Sequence, residues 1–256
     1  MKYDIVIGNP PYQENTNSAK GNQQGGYWYK FIDKVLTEYS PQIGVFVTPT
    51  SMFSTGGFGT KKHKVSSVIN KGYGFTNITN ATNRFKVGID ITSYTIVKGY
   101  NGITKTDGGD IQITLNYPIP YIVSTTNSSI VEKTYKHGGG WPFTEVFKGN
   151  EDDWQIRING GRFKKWNRTH IGKGSLFNRG QGIVIDEEDV PAYESLFKSK
   201  LFKYLFVILG GESGQSATGI LKALPNPGVE KVWTPNALYE YFNLTREEIS
   251  LIESSI

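Results

Sequence analysis

Apolar and polar positions repeat with two different periods over the first hundred residues. Residues 3–8 (Tyr-Asp-Ile-Val-Ile-Gly) form a short, mostly apolar run, of the kind carried by strands buried on both sheet faces. Trp28, Phe31, Ile32, Val35 and Leu36 then fall at helical spacing and predict a helix over 27–39, which Ser40-Pro41 ends. Residues 43–48 (Ile-Gly-Val-Phe-Val-Thr) read as a second buried strand. A Gly-rich loop at 54–60, a basic helix near 61–71 and strands near 74–79 and 89–98 follow. Strand, helix, strand, helix, strand predicts a parallel α/β sheet.

Beyond about residue 100 the texture changes to Gly, Asn, Thr and aromatics, with short strands and turns such as Gly108-Gly109 and Gly138-Gly139-Gly140. A boundary at 100–110 divides the chain into 1–105 and 106–256. Thr245 with Glu248 forms a capping box for a terminal helix over 246–255. Residues 13–26, rich in Asn, Gln, Gly and Ser, read as a loop.

Composition narrows the chemistry. Hydrophobic content of 37% and charged content of 20% are ordinary for a folded soluble chain. The absence of Cys excludes disulfides, thiolate catalysis and Cys-ligated zinc, and three scattered histidines (His63, His137, His170) give little material for a metal centre. No apolar run approaches the roughly 18–20 residues that span a bilayer. The N-terminus enters a strand without signal-peptide design, so a cytoplasmic protein is expected, in a bacterial or phage-infected cell. The net charge of +5 divides into +7 over 1–105, +3 over 106–185 and −5 over 186–256. A basic front suits a bound polyanion, although solvated lysines alone give the same balance.

The segment with the most chemical content is Asn9-Pro10-Pro11-Tyr12, directly after the first strand. Side chains at a strand's carboxyl end project into the crevice where α/β sheets bind ligands. Two prolines stiffen the backbone, so the Asn9 side-chain oxygen and the Pro10 carbonyl can accept both hydrogens of a planar exocyclic amine. Accepting them draws electron density onto a weakly nucleophilic nitrogen and favours in-line attack on a methyl sulfonium. Tyr12 offers a flat face for an extruded base. The plain alternative is a proline-stiffened turn.

The run Lys2-Tyr3-Asp4-Ile5-Val6-Ile7-Gly8-Asn9-Pro10-Pro11-Tyr12-Gln13 resembles the catalytic motif of adenine-specific DNA methyltransferases of the restriction–modification type. Tyr29-Lys30-Phe31-Ile32 resembles that family's next helix, and Val45–Ser51 its next strand and Thr-Pro-Ser turn. Phe85-Lys86-Val87 with Asp90-Ile91-Thr92-Ser93 resembles the segment that contacts a flipped adenine. Trp233-Thr234 and Leu244–Ile249 are similar to its terminal pattern. The resemblance implies an α/β fold: a partial Rossmann-like methyltransferase sheet, then a β-rich target-recognition region with a helical C-terminal tail. It also implies catalytic roles for Asn9, Pro10, Pro11 and Tyr12. Tyr12 and Phe85 would stack on the target base; Phe85 also suits a plain core aromatic. Thr48, Pro49 and Ser51 would shape the crevice floor.

The resemblance further implies S-adenosylmethionine as methyl donor, held in a Gly-rich loop after another strand, with an acidic residue ending the next. In the family that region precedes the motif, whereas this sequence starts eight residues before Asn9. Relatives that permute the order place the donor loop last. Leu205–Leu209 followed by Gly210-Gly211-Glu212-Ser213-Gly214 is strand-like and then Gly-rich, but lacks an Asp-Pro-Phe lead and reads as a recognition-region loop. Without donor strands, 3–8 becomes an apolar open edge that a second polypeptide or a second copy should cover.

DNA is the expected partner of 155–182, which holds Arg157, Arg162, Lys164, Lys165, Arg168, Lys173 and Arg179 interleaved with Phe163, Trp166 and Phe177. Clustered Arg and Lys neutralise phosphates, and aromatics among them permit stacking. Lys61, Lys62 and Lys64 suit either phosphate contacts or a solvated helix start. Two readings from other classes stay open: a silent DNA-binding or decoy protein on the same scaffold, and a methyltransferase for protein glutamine.

Overall fold

The computed structural model describes residues 3–11, 27–53, 64–85, 90–120, 123–137, 141, 152–158, 169–173, 181–210, 220–222 and 224–256. Contacts divide the chain into two compact units, Met1–Thr125 and Thr126–Ile256. Among the described residues, no helix is long and apolar enough to cross a membrane.

The first unit is a mixed six-stranded sheet. Its strands are β1 (Ile5–Gly8), β2 (Ile43–Pro49), β3 (Tyr73–Asn80), β4 (Ile91–Lys98), β5 (Thr104–Thr106) and β6 (Gly109–Ile111), in the order β1-β2-β4-β3-β5-β6. Helix α1 (Tyr27–Lys34), extended by a π-helical turn (Val35–Tyr39), connects β1 to its parallel neighbour β2. Ser40 stops that helix in the left-handed region (φ 46°), its N–H bonded to the Val35 carbonyl, before Pro41. Helix α2 (Lys64–Asn70) leads to β3.

One expectation needs correction. The sheet is not wholly parallel: β4 runs antiparallel to both β2 and β3 and lies between them. The alternation in Ile91–Lys98 marks a strand but carries no direction. Only ten residues separate Asn80 from Ile91, too few for the crossover a parallel neighbour needs, so the chain turns back.

Burial concentrates on one sheet face. Phe46, Phe75, Tyr94 and Ile96 pack with Trp28, Ile32, Val35 and Leu36 from the helix, Met52 and Phe53 after β2, and Val65 and Val68 of α2. Gly44 is required here: a Cβ would meet the Phe46 ring at 2.6 Å and Ile96 at 3.0 Å. The second face is thinner. Ile5 and Ile7, expected to be buried, are 56% and 78% exposed, and Val45 and Val47 are half-buried.

In the second unit, β7 (Gln155–Ile158), β8 (Thr169–Gly172) and β9 (Gln181–Val184) form an antiparallel sheet ordered β8-β7-β9. Helices α3 (Thr125–Tyr135), α4 (Val190–Phe197), α5 (Lys200–Ile208), α6 (Pro235–Tyr241) and α7 (Arg246–Ser255) surround it in sequence. The described part is therefore richer in helix than expected. The run Leu205–Leu209 is a second correction, for its strand-like residues lie in or cap α5. The Ser199 side chain caps α5 by accepting from Phe202 N–H, and Leu201, Phe202, Leu205 and Phe206 are all buried. A short continuous apolar run fits helix and strand alike. The predicted box on α7 forms in full: Thr245 Oγ1 accepts from Glu248 N–H and Glu248 Oε2 from Thr245 N–H (2.7 Å).

Candidate active site

Because β1, β2 and β3 share one direction, their carboxyl ends and the start of β4 lie at the same end of the sheet. Gly8 is level with Phe46, and Thr48 with Thr92 and Asn80. Asn9, Pro10 and Pro11 leave β1 there. Asn9 and Pro11 are exposed and Pro10 is buried. Gly8 lies between two rings: a Cβ at that position would stand 3.5 Å from Phe46 and 3.6 Å from Phe31. The strand end is thus held from below while Asn9 stays open to solvent. Tyr12 lies outside the described residues.

The next wall follows β2. Thr48 is fully buried, and Pro49 pairs with Ile91. Thr50 N–H donates to the Asp90 carbonyl (2.8 Å), and the Thr50 and Thr92 hydroxyls share a hydrogen bond of 2.7 Å. The 3₁₀ turn Thr50–Phe53 then drops Met52 and Phe53 into the core. Lys64 reaches this turn from α2, donating to the Ser51 carbonyl (3.1 Å) with its ammonium 4.6 Å from the Trp28 ring centroid. Burial lowers its pKa to about 8. Lys64 is therefore a brace within the fold, neither a solvated helix start nor a free phosphate ligand. Spacing alone did not mark it, because Lys61 and Lys62 look the same in sequence.

The far wall follows β3. Asp107 accepts from Asn80 N–H, and the Asn80 side chain accepts from Thr82 N–H (2.8 Å). Thr82 Oγ1 accepts from Ile91 N–H (3.0 Å), tying the turn to β4. The short 3₁₀ turn Thr82–Arg84 ends at Phe85, which is extended and half-buried. Asn9 and Phe85 thus follow β1 and β3, whose carboxyl ends lie at the same end of the sheet, three strand positions or roughly 14 Å apart at the usual interstrand spacing. Beneath them Tyr94 sits among Phe46, Phe53 and Phe75, and burial pushes its hydroxyl pKa up.

Of the basic cluster, Arg157 lies on β7 opposite His170 and Gly182, and Lys173 is exposed after β8. Lys173 is already engaged, 3.3 Å from Glu187 and 5.5 Å from the Trp154 ring centroid. Arg162, Lys164, Lys165, Arg168 and Arg179, and the side chain of Arg157, lie outside the described residues, as do Lys61 and Lys62.

Asn9 thus stands exposed at a sheet end where the Thr50 and Thr92 hydroxyls and the half-buried Lys64 tie the neighbouring elements together. No curated protein matches the chain. Residues 1–87 of the 256 match the family model of the Eco57I restriction-modification methylase, and this match supports a restriction–modification methyltransferase family for that segment.

Proposed function

We propose that this chain carries the catalytic half of an adenine-specific DNA methyltransferase and that S-adenosylmethionine is held by another polypeptide or by a segment outside the described residues. The observation that carries this reading is the position of Asn9-Pro10 at the carboxyl end of β1, with Pro10 buried and Asn9 exposed at the open end of the crevice. The Asn9 side-chain oxygen and the Pro10 carbonyl would accept the two hydrogens of an adenine amine. Fixed by proline, they need little reorganisation as the nitrogen turns tetrahedral. Phe85 would pack against the extruded base, with Tyr12 on its face.

Bound S-adenosylmethionine would supply the methyl group. A donor pocket uses a further strand, a Gly-rich turn and an acidic residue, none of which Asn9 and Pro10 themselves supply. No step is therefore assigned to residues of this chain beyond orienting and polarising the amine. DNA binding is assigned to the basic 155–182 segment.

The test is reconstitution. The full chain is mixed with the segment that precedes the Asn-Pro-Pro-Tyr motif in an Eco57I-family methylase, and N6-methyladenine in duplex DNA is measured by mass spectrometry. Methylation should appear only in the mixture and vanish with Asn9→Ala. Full methylation by Asn9→Ala would make the motif a structural turn. DNA binding without methylation would favour a silent DNA-binding protein.

A further inference from the structure

Lys64 joins two sides of the sheet end at which Asn9 stands. It opens α2, which packs on α1 and on the turn Thr50–Phe53. Its ammonium donates to the Ser51 carbonyl (3.1 Å) and lies 4.6 Å from the Trp28 ring centroid. Three segments far apart in sequence thus meet at one side-chain nitrogen.

Each contact leads on to a candidate base contact. Trp28 lies on α1 one turn before Phe31, whose ring would stand 3.6 Å from a Cβ at Gly8, the residue before Asn9. Ser51 follows Thr50, whose N–H donates to the Asp90 carbonyl (2.8 Å) and whose hydroxyl meets that of Thr92 (2.7 Å). Ile91 N–H in turn donates to Thr82 Oγ1 (3.0 Å), at the start of the 3₁₀ turn that ends at Phe85.

The setting is costly for a cation. A helix start disfavours positive charge, and among the described residues no carboxylate pairs with this ammonium. On the surrounding elements, α1 carries Tyr27, Tyr29, Lys30, Asp33 and Lys34, Lys71 follows α2, and the turn Thr50–Phe53 holds no titratable group. Asp33 is taken by Lys71 (2.7 Å) and Lys34 by Glu38 (3.8 Å). Burial brings the Lys64 pKa down to about 8. An apolar side chain would avoid that cost, but it could not bond the Ser51 carbonyl.

We infer that Lys64 is a positioning residue, which fixes the spacing between Asn9 and Phe85 by tying α1 to the turn after β2. The inference rests on the reading of those two residues as contacts of the target base, and adds what holds them at a constant distance. Protonation favours any state in which the amine reaches water. The tie therefore loosens as pH falls from about 10.4, the ordinary lysine value, to about 8.

The test uses the full chain, which has no cysteine of its own. Spin labels on Asn9→Cys and Phe85→Cys report the spacing by double electron–electron resonance, and hydrogen exchange reports the Thr50 and Ile91 amides. At pH 9.5 the spacing should be one narrow distribution, which Lys64→Met broadens. Lys64→Met should also lower protection of the Thr50 and Ile91 amides about fivefold, the worth of one hydrogen bond, and leave Ile96 at the sheet centre unchanged. With Lys64 in place, going from pH 9.5 to 8 should cut protection at Thr50 roughly tenfold, and Lys64→Met should remove that response. Three results would overturn the inference: a spacing and protection that Lys64→Met leaves unaltered, a loss of protection equal across the whole sheet, or the same pH response in Lys64→Met. Full methylation by Asn9→Ala would instead take the base away from this sheet end and leave the tie as measured.

Discussion

The Thr50 and Thr92 hydroxyls meet at 2.7 Å across the junction of β2 and β4, at the same end of the sheet as Asn9. Thr92 is buried and Thr50 half-buried, so either hydroxyl left alone loses a partner that water replaces poorly. Thr50→Val and Thr92→Val should each destabilise the fold by about 1 kcal/mol. The double variant should cost less than the sum, because no orphaned hydroxyl remains. Urea unfolding of the four proteins measures the coupling, and strict additivity would remove this bond from the floor.

Lys64 is the crevice's titratable brace. Burial lowers its pKa to about 8, against an ordinary lysine value of about 10.4 when unfolded. Between those values the unfolded chain binds the proton and the folded chain does not. Its contribution to stability is thus present above about pH 10.4 and lost as pH falls through about 8. The stability difference between the unaltered chain and Lys64→Met should therefore shift in favour of the unaltered chain from pH 8 to 10. Denaturant midpoints across that range check it; a flat difference would mean that Lys64 titrates normally.

Glu248 plays the corresponding part in the second unit. It is buried, accepts from Ser129 (2.7 Å) and pairs with Lys133 (2.7 Å) while completing the α7 box. Burial raises its pKa, but Lys133, Ser129 and Thr245 N–H outweigh that and hold the carboxyl below its ordinary value. The stability it contributes is present above about pH 4.3, the ordinary glutamate value, and lost as pH falls through the lower folded-state value. Glu248→Ala should cost about 3 kcal/mol, since a partly buried ammonium loses its partner and the helix its cap. Glu248→Gln should flatten the acid limb of the stability profile.

Local signals in the sequence carried much of this fold. Ser40-Pro41 ended a helix whose apolar spacing was plain, and Thr245 with Glu248 announced a box that forms. What local pattern could not carry was pairing. The direction of β4 depends on the short return from Arg84, and α5 looked like a strand because its apolar residues are contiguous. The strand end before Asn9 and Pro10 was legible because the prolines follow it directly. Lys64 and the Thr50–Thr92 bond were not, since each partner is set by contacts made across the sheet or between helices.

The basic segment gives the last prediction. If 155–182 binds DNA through phosphates, affinity should fall linearly with the logarithm of salt, by about 0.9 in slope per phosphate neutralised. Replacing Arg162, Lys164, Lys165 and Arg168 by Ala should then lower the slope by up to roughly 3.6. Lys173 is expected to behave differently. Its ammonium is already paired with Glu187 and placed over Trp154, so a phosphate would have to displace a local partner. Lys173→Ala should change the slope by much less than one, and Glu187→Gln should raise it by freeing the ammonium. Fluorescence anisotropy on a labelled duplex from 50 to 300 mM salt measures all three. A slope that ignores the fourfold variant would place the DNA surface elsewhere in the chain. A full unit lost with Lys173→Ala would show that the Glu187 pair gives way when DNA binds.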